Sequence, residues 1–235
     1  MKLHKKAFCI VSLGLLLGST SLLAAQKTVK DIVSNAYAQI GSMDKYAFKA
    51  VVVDNDTIEG ETISYKQNVS VKIDRPGNLR VDNKGDIKDR STYVNNGTFT
   101  MIDHNFGYYG QLKTPKTIDG TLDFIFDKFG IRTPLSTLMY SDMNKRIKFK
   151  TNKYFGVVDV AGVECDYVAF KNNTREIHVW ITTGENPLVK TFSIINGDTR
   201  INTSLTWDTN PNFKDSDFIF SAPKGAEKIS INSAN

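Results

Sequence analysis

The chain has 235 residues, with 30 basic and 25 acidic side chains giving a formal charge of +5. Three of the lysines, Lys2, Lys5 and Lys6, lie within the first 25 residues, so the remainder carries 27 basic against 25 acidic groups, a balance of +2. Those charges are interspersed along nearly every segment, which argues against nucleic-acid binding, where Lys and Arg cluster on one face; the single cysteine beyond residue 25, Cys165, excludes an intramolecular disulfide there.

The first predicted element is an export signal. The three lysines precede an apolar run from Ala7 to Leu17, Gly18-Ser-Thr-Ser21 breaks it, and Leu22-Leu-Ala-Ala25 supplies small residues for a signal peptidase. Cleavage is expected after Ala24 or Ala25 and the destination is periplasmic. The run turns polar at Gly18, short of the about 20 residues that a membrane helix needs, so no stable membrane anchor is expected. Cys9 follows Lys6-Ala-Phe8 rather than a short Leu-small-small run at the cleavage boundary, so it is not placed for lipid attachment and leaves with the signal. Cys165 alternates with Val163 and Tyr167 and reads as a buried small hydrophobe.

Next comes a helix. Thr28-Val-Lys-Asp31 has the form of a capping box, Val29, Ile32, Val33, Ala36, Tyr37 and Ile40 make one apolar stripe, and Gly41 is the expected stop. From Tyr46 the period changes to 2, most cleanly over Glu61 to Asp74, where Ile63, Tyr65, Val69, Val71 and Ile73 alternate with polar residues. Leu79 to Val81, Ser91 to Val94, Thr98 to Asp103 and Phe106 to Leu112 read as further strands. The turns between them are Pro76-Gly77, Asn83-Lys-Gly85, Asn95-Asn-Gly97 and His104-Asn105.

A helical interruption is expected from Thr117 to about Asp142. Ile118, Leu122, Ile125, Phe126 and Phe129 form a stripe ending at Gly130, and Thr133-Pro134 restarts a short helix carrying Leu135, Leu138 and Met139. Phe124 lies off that stripe, so the segment is either apolar on two sides or presents one wide core-facing stripe. Strands then resume over Arg146 to Lys150, Val157 to Val160, Val163 to Phe170, Arg175 to Thr182, Leu188 to Ile195 and Thr199 to Asp208, with a last one over Phe218 to Ser221. Roughly ten strands in a meander fit an antiparallel sheet whose edges must close or be covered.

Motifs of catalysis are missing from the sequence. No zinc-protease helix, phosphate-binding Gly-Lys loop, nucleophile elbow or Cys pair occurs beyond the signal. His104 and His178 have no partner at metal-ligand spacing, and acidic pairs such as Asp54 with Asp56, or Asp86 with Asp89, sit in turn-like stretches where carboxylates bond locally to backbone. No cofactor is expected, and the reading is non-enzymatic.

Val160-Ala-Gly-Val-Glu-Cys165, Val179-Trp-Ile181, Asn186-Pro-Leu188, Trp207-Asp208 and Asp217-Phe-Ile-Phe-Ser-Ala-Pro-Lys-Gly-Ala226 follow one another in order over about residues 155 to 229. Together they resemble a family of predicted periplasmic proteins of unknown function that share the fold of the lipoprotein carriers LolA and LolB. The resemblance implies a mainly β (α+β) fold for residues 26–235 as one domain: a curved antiparallel half-barrel around a hydrophobic cavity, with the N-terminal helix and central helices as lid. In the carriers that cavity shelters acyl chains. The ligand-binding residues expected on this reading are Leu122, Phe126, Phe129, Leu135, Leu138 and Met139, and the expected partner is a hydrophobic ligand or lipid acyl chain; an envelope protein is the partner expected on the scaffold alternative. The sequence departs from the carriers in lacking a basic cluster placed for handing cargo on. The alternative is an envelope scaffold with a filled barrel and no ligand. Amino-terminal sequencing of the exported protein is expected to start at Ala25 or Gln26; an envelope form that still begins at Met1 would refute the cleavage.

Overall fold

The computed structural model describes residues 27–148, 150–172 and 175–233, so the export signal lies outside the described residues. Helix α1, Val29–Ser42, begins at the expected capping box. The Asp31 amide donates to Thr28 Oγ1 at 3.1 Å and the Thr28 amide donates to Asp31 Oδ2 at 3.3 Å, which satisfies two donors that a helix start leaves free. All six residues of the expected stripe are buried. Gly41 does not stop the helix, which runs one residue further. Its role is close approach: a Cβ at Gly41 would lie 2.1 Å from the Ser141 carbonyl oxygen.

Strands β1, Lys45–Ile58, and β2, Glu61–Asp74, form a long hairpin, and β3, Asn78–Gly85, β4, Asp89–Asn95, β5, Thr98–Asp103, and β6, Tyr108–Lys113, continue the meander. Helix α2, Ile118–Phe129, and the short helix α3, Met143–Arg146, interrupt it. A second meander follows in β7, Thr151–Asp159, β8, Glu164–Asn172, β9, Arg175–Thr182, β10, Val189–Asn196, and β11, Thr199–Asp208; β12 is the two residues Glu227–Lys228. All twelve belong to one sheet of order β12-β6-β5-β4-β3-β2-β1-β11-β10-β9-β8-β7, antiparallel except where β12 joins β6. β12 and β7 are its two edges, so the curved sheet is open and not closed.

Three expected features differ. Asn83-Lys-Gly85 is not a turn, because Asn83 and Lys84 pair with Arg90 and Asp89, and the reversal falls just beyond them. Arg146, Ile147, Lys148 and Lys150 are not in a strand, and Phe149 lies outside the described residues. Arg146 instead ends α3, held by ion pairs to Asp142 and Asp123, and pairing starts at Thr151. Phe218–Ser221 is not a strand either: a 3-10 turn, Asp215–Phe218, lies across the convex face, where Asp217 accepts from Lys72 Nζ at 2.7 Å and Phe213 meets Phe218 edge-on at 5.3 Å. Phe218 is fully buried there, and removal of such a ring from water contributes roughly 1.5–3 kcal/mol.

The main core lies between the other sheet face and the helices. Cross-strand pairing aligns Trp207, Phe48, Val71 and Val81 in one row and Ile73, Leu79, Val94 and Phe99 in the next. Ile40 of α1, Ile118 and Ile125 of α2, and Leu138 and Met139 pack into the same cluster. Arg75 ties this end together. Its guanidinium donates to the Met139 carbonyl at 2.8 Å, the Met43 carbonyl at 3.2 Å and Tyr46 Oη at 3.2 Å, and lies 3.5 Å from the Asp119 carboxylate. Tyr46 Oη in turn donates to the Leu138 carbonyl at 2.7 Å, and burial pushes the phenol far above its ordinary pKa despite the nearby Arg75 charge. Tyr46→Phe is expected to cost about 1–3 kcal/mol, because the Leu138 carbonyl stays buried without its donor. A lower urea midpoint at unchanged slope is the measurement.

Candidate ligand-binding cleft

Away from the Arg75 end, the concave face is not filled. The β1–β11 register places Val52 opposite Thr203, and neighbouring strands extend the row to Gln67 on one side and Phe192 on the other. Ile201 and Ile194 lie opposite each other in the adjacent row. These inner-face residues form the floor of a cleft of about 620 Å³. A second space of about 310 Å³ shares Phe192, Ile194, Met143, Arg146 and Arg175 with it and runs on over Ile177 and Val179. A third, of about 130 Å³, shares Gln67 and Ile131–Pro134 and runs toward Val81, Asn83 and Met101. The larger two fall in the size range of about 300–1,000 Å³ usual for small-molecule sites.

The roof is α2 and the segment after it. Thr117 caps α2, accepting from the Gly120 amide at 3.1 Å, and Gly130 ends it in a left-handed conformation at φ 64°, as a helix C-terminus favours. The expected restart after Thr133-Pro134 is a single 3-10 turn, Ser136–Leu138, because Leu135 itself adopts φ 58°. Of the six residues expected to face a ligand, Leu122, Phe126 and Leu135 line the cleft. Leu138 and Met139 are fully buried in the core, and Phe129 packs against Phe124 with ring centres 5.9 Å apart. Phe124 itself packs against the core, which widens the stripe of α2 on that side, while Phe126 remains 41 % exposed over the cleft.

The floor residues Val52, Gln67, Phe192, Ile194, Ile201 and Thr203 were not among the expected site residues. Alternation assigns each to a face, but only the pairing register brings residues of four strands, β2, β1, β11 and β10, together. The cleft cations Arg132, Arg146 and Arg175 gave no sequence signal, since each reads as an ordinary loop or strand-end charge.

A polar latch closes one side of the roof. Asp123 of α2 accepts from Arg146 Nη1 at 2.9 Å, Arg146 Nη2 at 3.1 Å and Tyr140 Oη at 2.9 Å, and the Arg146 guanidinium stands 4.2 Å over the Tyr140 ring. Burial works to raise the Asp123 pKa, yet the hydrogen bonds from Arg146 and Tyr140 together with the Arg146 charge outweigh it and hold the carboxyl below its usual range. Two other wall atoms are orphans. Thr133 and Thr203, 7 % and 1 % exposed, have hydroxyls with no hydrogen-bond partner among the described residues.

The two histidines among the described residues lie elsewhere and are engaged. His104 Nε2 is 2.8 Å from Ser91 Oγ, and His178 bridges Tyr167 Oη and Glu176 Oε1 at 2.7 Å each. Tyr167 is sandwiched between Phe155 and Trp180, with ring centres 4.4 and 4.5 Å away, on strands β7 to β9. Among the described residues no three His, Cys, Asp or Glu side chains cluster as a metal site. Cys165 is buried, which raises its thiol pKa.

An open, curved antiparallel sheet with helices laid across its concave face, and a trough between the two, defines a mainly β half-barrel class of protein. Within that class, the chain belongs to the family described as predicted periplasmic protein (DUF2092), whose model matches residues 30–232. An uncharacterised conserved protein from Thermus thermophilus shares the fold with a TM-score of 0.52 at 9% identity, over 87% of this chain and 99% of that one. The lipoprotein LppX from Mycobacterium tuberculosis aligns with a TM-score of 0.49 at 11% identity, over 78% of this chain and 96% of that one. A LolA superfamily protein from Nitrosomonas europaea aligns with a TM-score of 0.40 at 7% identity, over 83% and 98%. No curated protein matches the chain in sequence.

The latch gives a pH prediction. A carboxyl whose pKa is depressed on folding contributes stability that is full above the unfolded value and is lost as pH falls through the folded one. The Asp123–Arg146 pair is therefore expected to persist at pH 5 and to break only in stronger acid. In a carbon-13 titration the Asp123 carboxyl should show a midpoint below about 3.9, the ordinary Asp value; in Arg146→Gln that midpoint should move up.

Proposed function

We propose that the protein is a periplasmic binding protein that holds an apolar ligand, such as a lipid acyl chain, in the cleft between the concave sheet face and the α2 roof. The single observation that carries this reading is the apolar floor of Val52, Phe192, Ile194 and Ile201 left uncovered beneath Leu122, Phe126 and Leu135. Apolar groups make up the larger part of the lining, beside polar ones such as Arg132, Thr133 and Arg175, so a trough of this size is suited to an apolar occupant. Each methylene that enters contributes about 0.8 kcal/mol, so a chain of modest length is held by area without any catalytic group. The family's periplasmic description supports the compartment, and the export signal at residues 1–25 agrees with it.

Protein purified from the native envelope without detergent is expected to release lipid on solvent extraction, read by mass spectrometry. Delipidated protein is expected to bind the neutral fluorophore N-phenyl-1-naphthylamine. Ile201→Trp, which fills the floor from within, should weaken that binding at least tenfold while leaving the thermal transition within a few degrees. Extraction without lipid, together with no fluorophore binding, would instead favour the filled scaffold.

A further inference from the structure

The charges at the cleft mouth are not distributed like those on the rest of the chain. Of the seven arginines, Arg75, Arg80, Arg90 and Arg146 each pair with an aspartate. Arg132, Arg175 and Arg200 have no carboxylate partner among the described residues, and two of these three, Arg132 and Arg175, line the same cleft. Lys148 adds a further cation where the cleft continues, and no acidic residue lines that part. The one acid in the larger cleft, Asp123, is already engaged by Arg146.

Arg132 is also held in place. Its guanidinium stacks on the Phe126 ring at 4.3 Å, and stacking occupies the flat face while leaving the in-plane N–H donors directed outward, the geometry that matches a carboxylate or phosphate. The next residue, Thr133, lines the cleft with a buried hydroxyl that has no partner. A buried hydroxyl without a hydrogen bond is costly, and an oxygen acceptor on a ligand would remove that cost.

We infer that the occupant is an anionic amphiphile, its chain on the Phe192–Ile194–Ile201 floor and its carboxylate or phosphate head held by the cleft arginines that lack a carboxylate partner, Arg132 beside the Thr133 hydroxyl and Arg175. This rests on the cleft being a site for an apolar ligand, and adds the charge and orientation of that ligand.

The test is displacement of N-phenyl-1-naphthylamine at pH 8 and low salt by dodecanoate, dodecyl phosphate, dodecanol or inorganic phosphate, in the wild-type chain and in the double variant Arg132→Gln, Arg175→Gln. Both arginines are exposed, so the variant is expected to fold, and its own fluorophore affinity, measured first, is the reference for each displacement. In the wild-type chain at least one of the two anions should compete tenfold or more better than dodecanol, and the better one identifies the head. Added salt should shrink that advantage, and the double variant should lose it. Equal competition by dodecanol in the wild type, or an anion preference that survives in the double variant, overturns the headgroup assignment while leaving the apolar cleft standing. Displacement by inorganic phosphate alone overturns the amphiphile in favour of a simple anion site. Failure of the fluorophore to bind the wild-type chain at all overturns the cleft reading and the headgroup with it.

Discussion

The antiparallel pairing of β1 with β11 is the contact on which the rest of the architecture depends. β1 is bonded on both sides, to β2 within its own hairpin and to β11 from the far end of the chain, with Ala47 opposite Asp208 and Asn55 opposite Arg200. Without it the sheet would be two separate meanders, each with another exposed edge. Loop-closure entropy grows only slowly with length, so the local packing of Trp207 against Phe48 and Tyr46, at 5.0 and 6.0 Å, helps hold so distant a pair. A slip of one residue in this register would turn Thr203, Phe192 and Ile201 to the convex face. Register is therefore what makes the cleft floor apolar.

The same α2 helix covers a filled core at its start and an open trough at its end. Ion pairing of Asp119 with Arg75, and the approach of Gly41 to Ser141, draw the start of the roof close to the sheet. Beneath that end lie the large side chains Phe48, Phe99 and Leu79, all fully buried. Beyond Gly130 the chain leaves the helix, and the floor below it, Val52, Gln67, Phe192, Ile194, Ile201 and Thr203, borders an open cleft rather than a filled core. The Asp123 latch to Arg146 then ties α2 to α3. The trough thus lies where the tethered roof continues past the filled core.

Periodicity made most of the fold legible before any coordinates. The stripe of α1 and the alternation of β2 are strong because every residue in them obeys one period, 3.6 or 2. Arg146–Lys150 alternates equally well, and was overruled by ion pairs to Asp123 and Asp142 that no local pattern reveals. Phe218 reads as a strand residue because it is apolar among apolar neighbours, yet it serves as an anchor on the convex face. The site was legible only in half of its roof. Leu122, Phe126 and Leu135 share the cleft, but a stripe cannot tell which of its members meet core and which meet open space, so Leu138 and Met139 were placed with them. The floor required four strands in register, information that resides in pairing rather than in any segment.

Net charge conceals the arrangement that matters at the mouth. A balance of +2 beyond the signal carries little long-range field, and at physiological ionic strength charges more than about 8 Å apart are screened. Apolar burial is non-directional as well: it can hold a chain in the trough without fixing which end faces out. Orientation has to come from polar groups of fixed position. Arg132, stacked on Phe126 and adjacent to the unpartnered Thr133, is such a group, and Arg175, at the start of β9, stands on the same cleft. A near-neutral chain can therefore be selective for charge at one place, provided that most of its other arginines pair with aspartates, as Arg75, Arg80, Arg90 and Arg146 do, and that the two on the cleft do not.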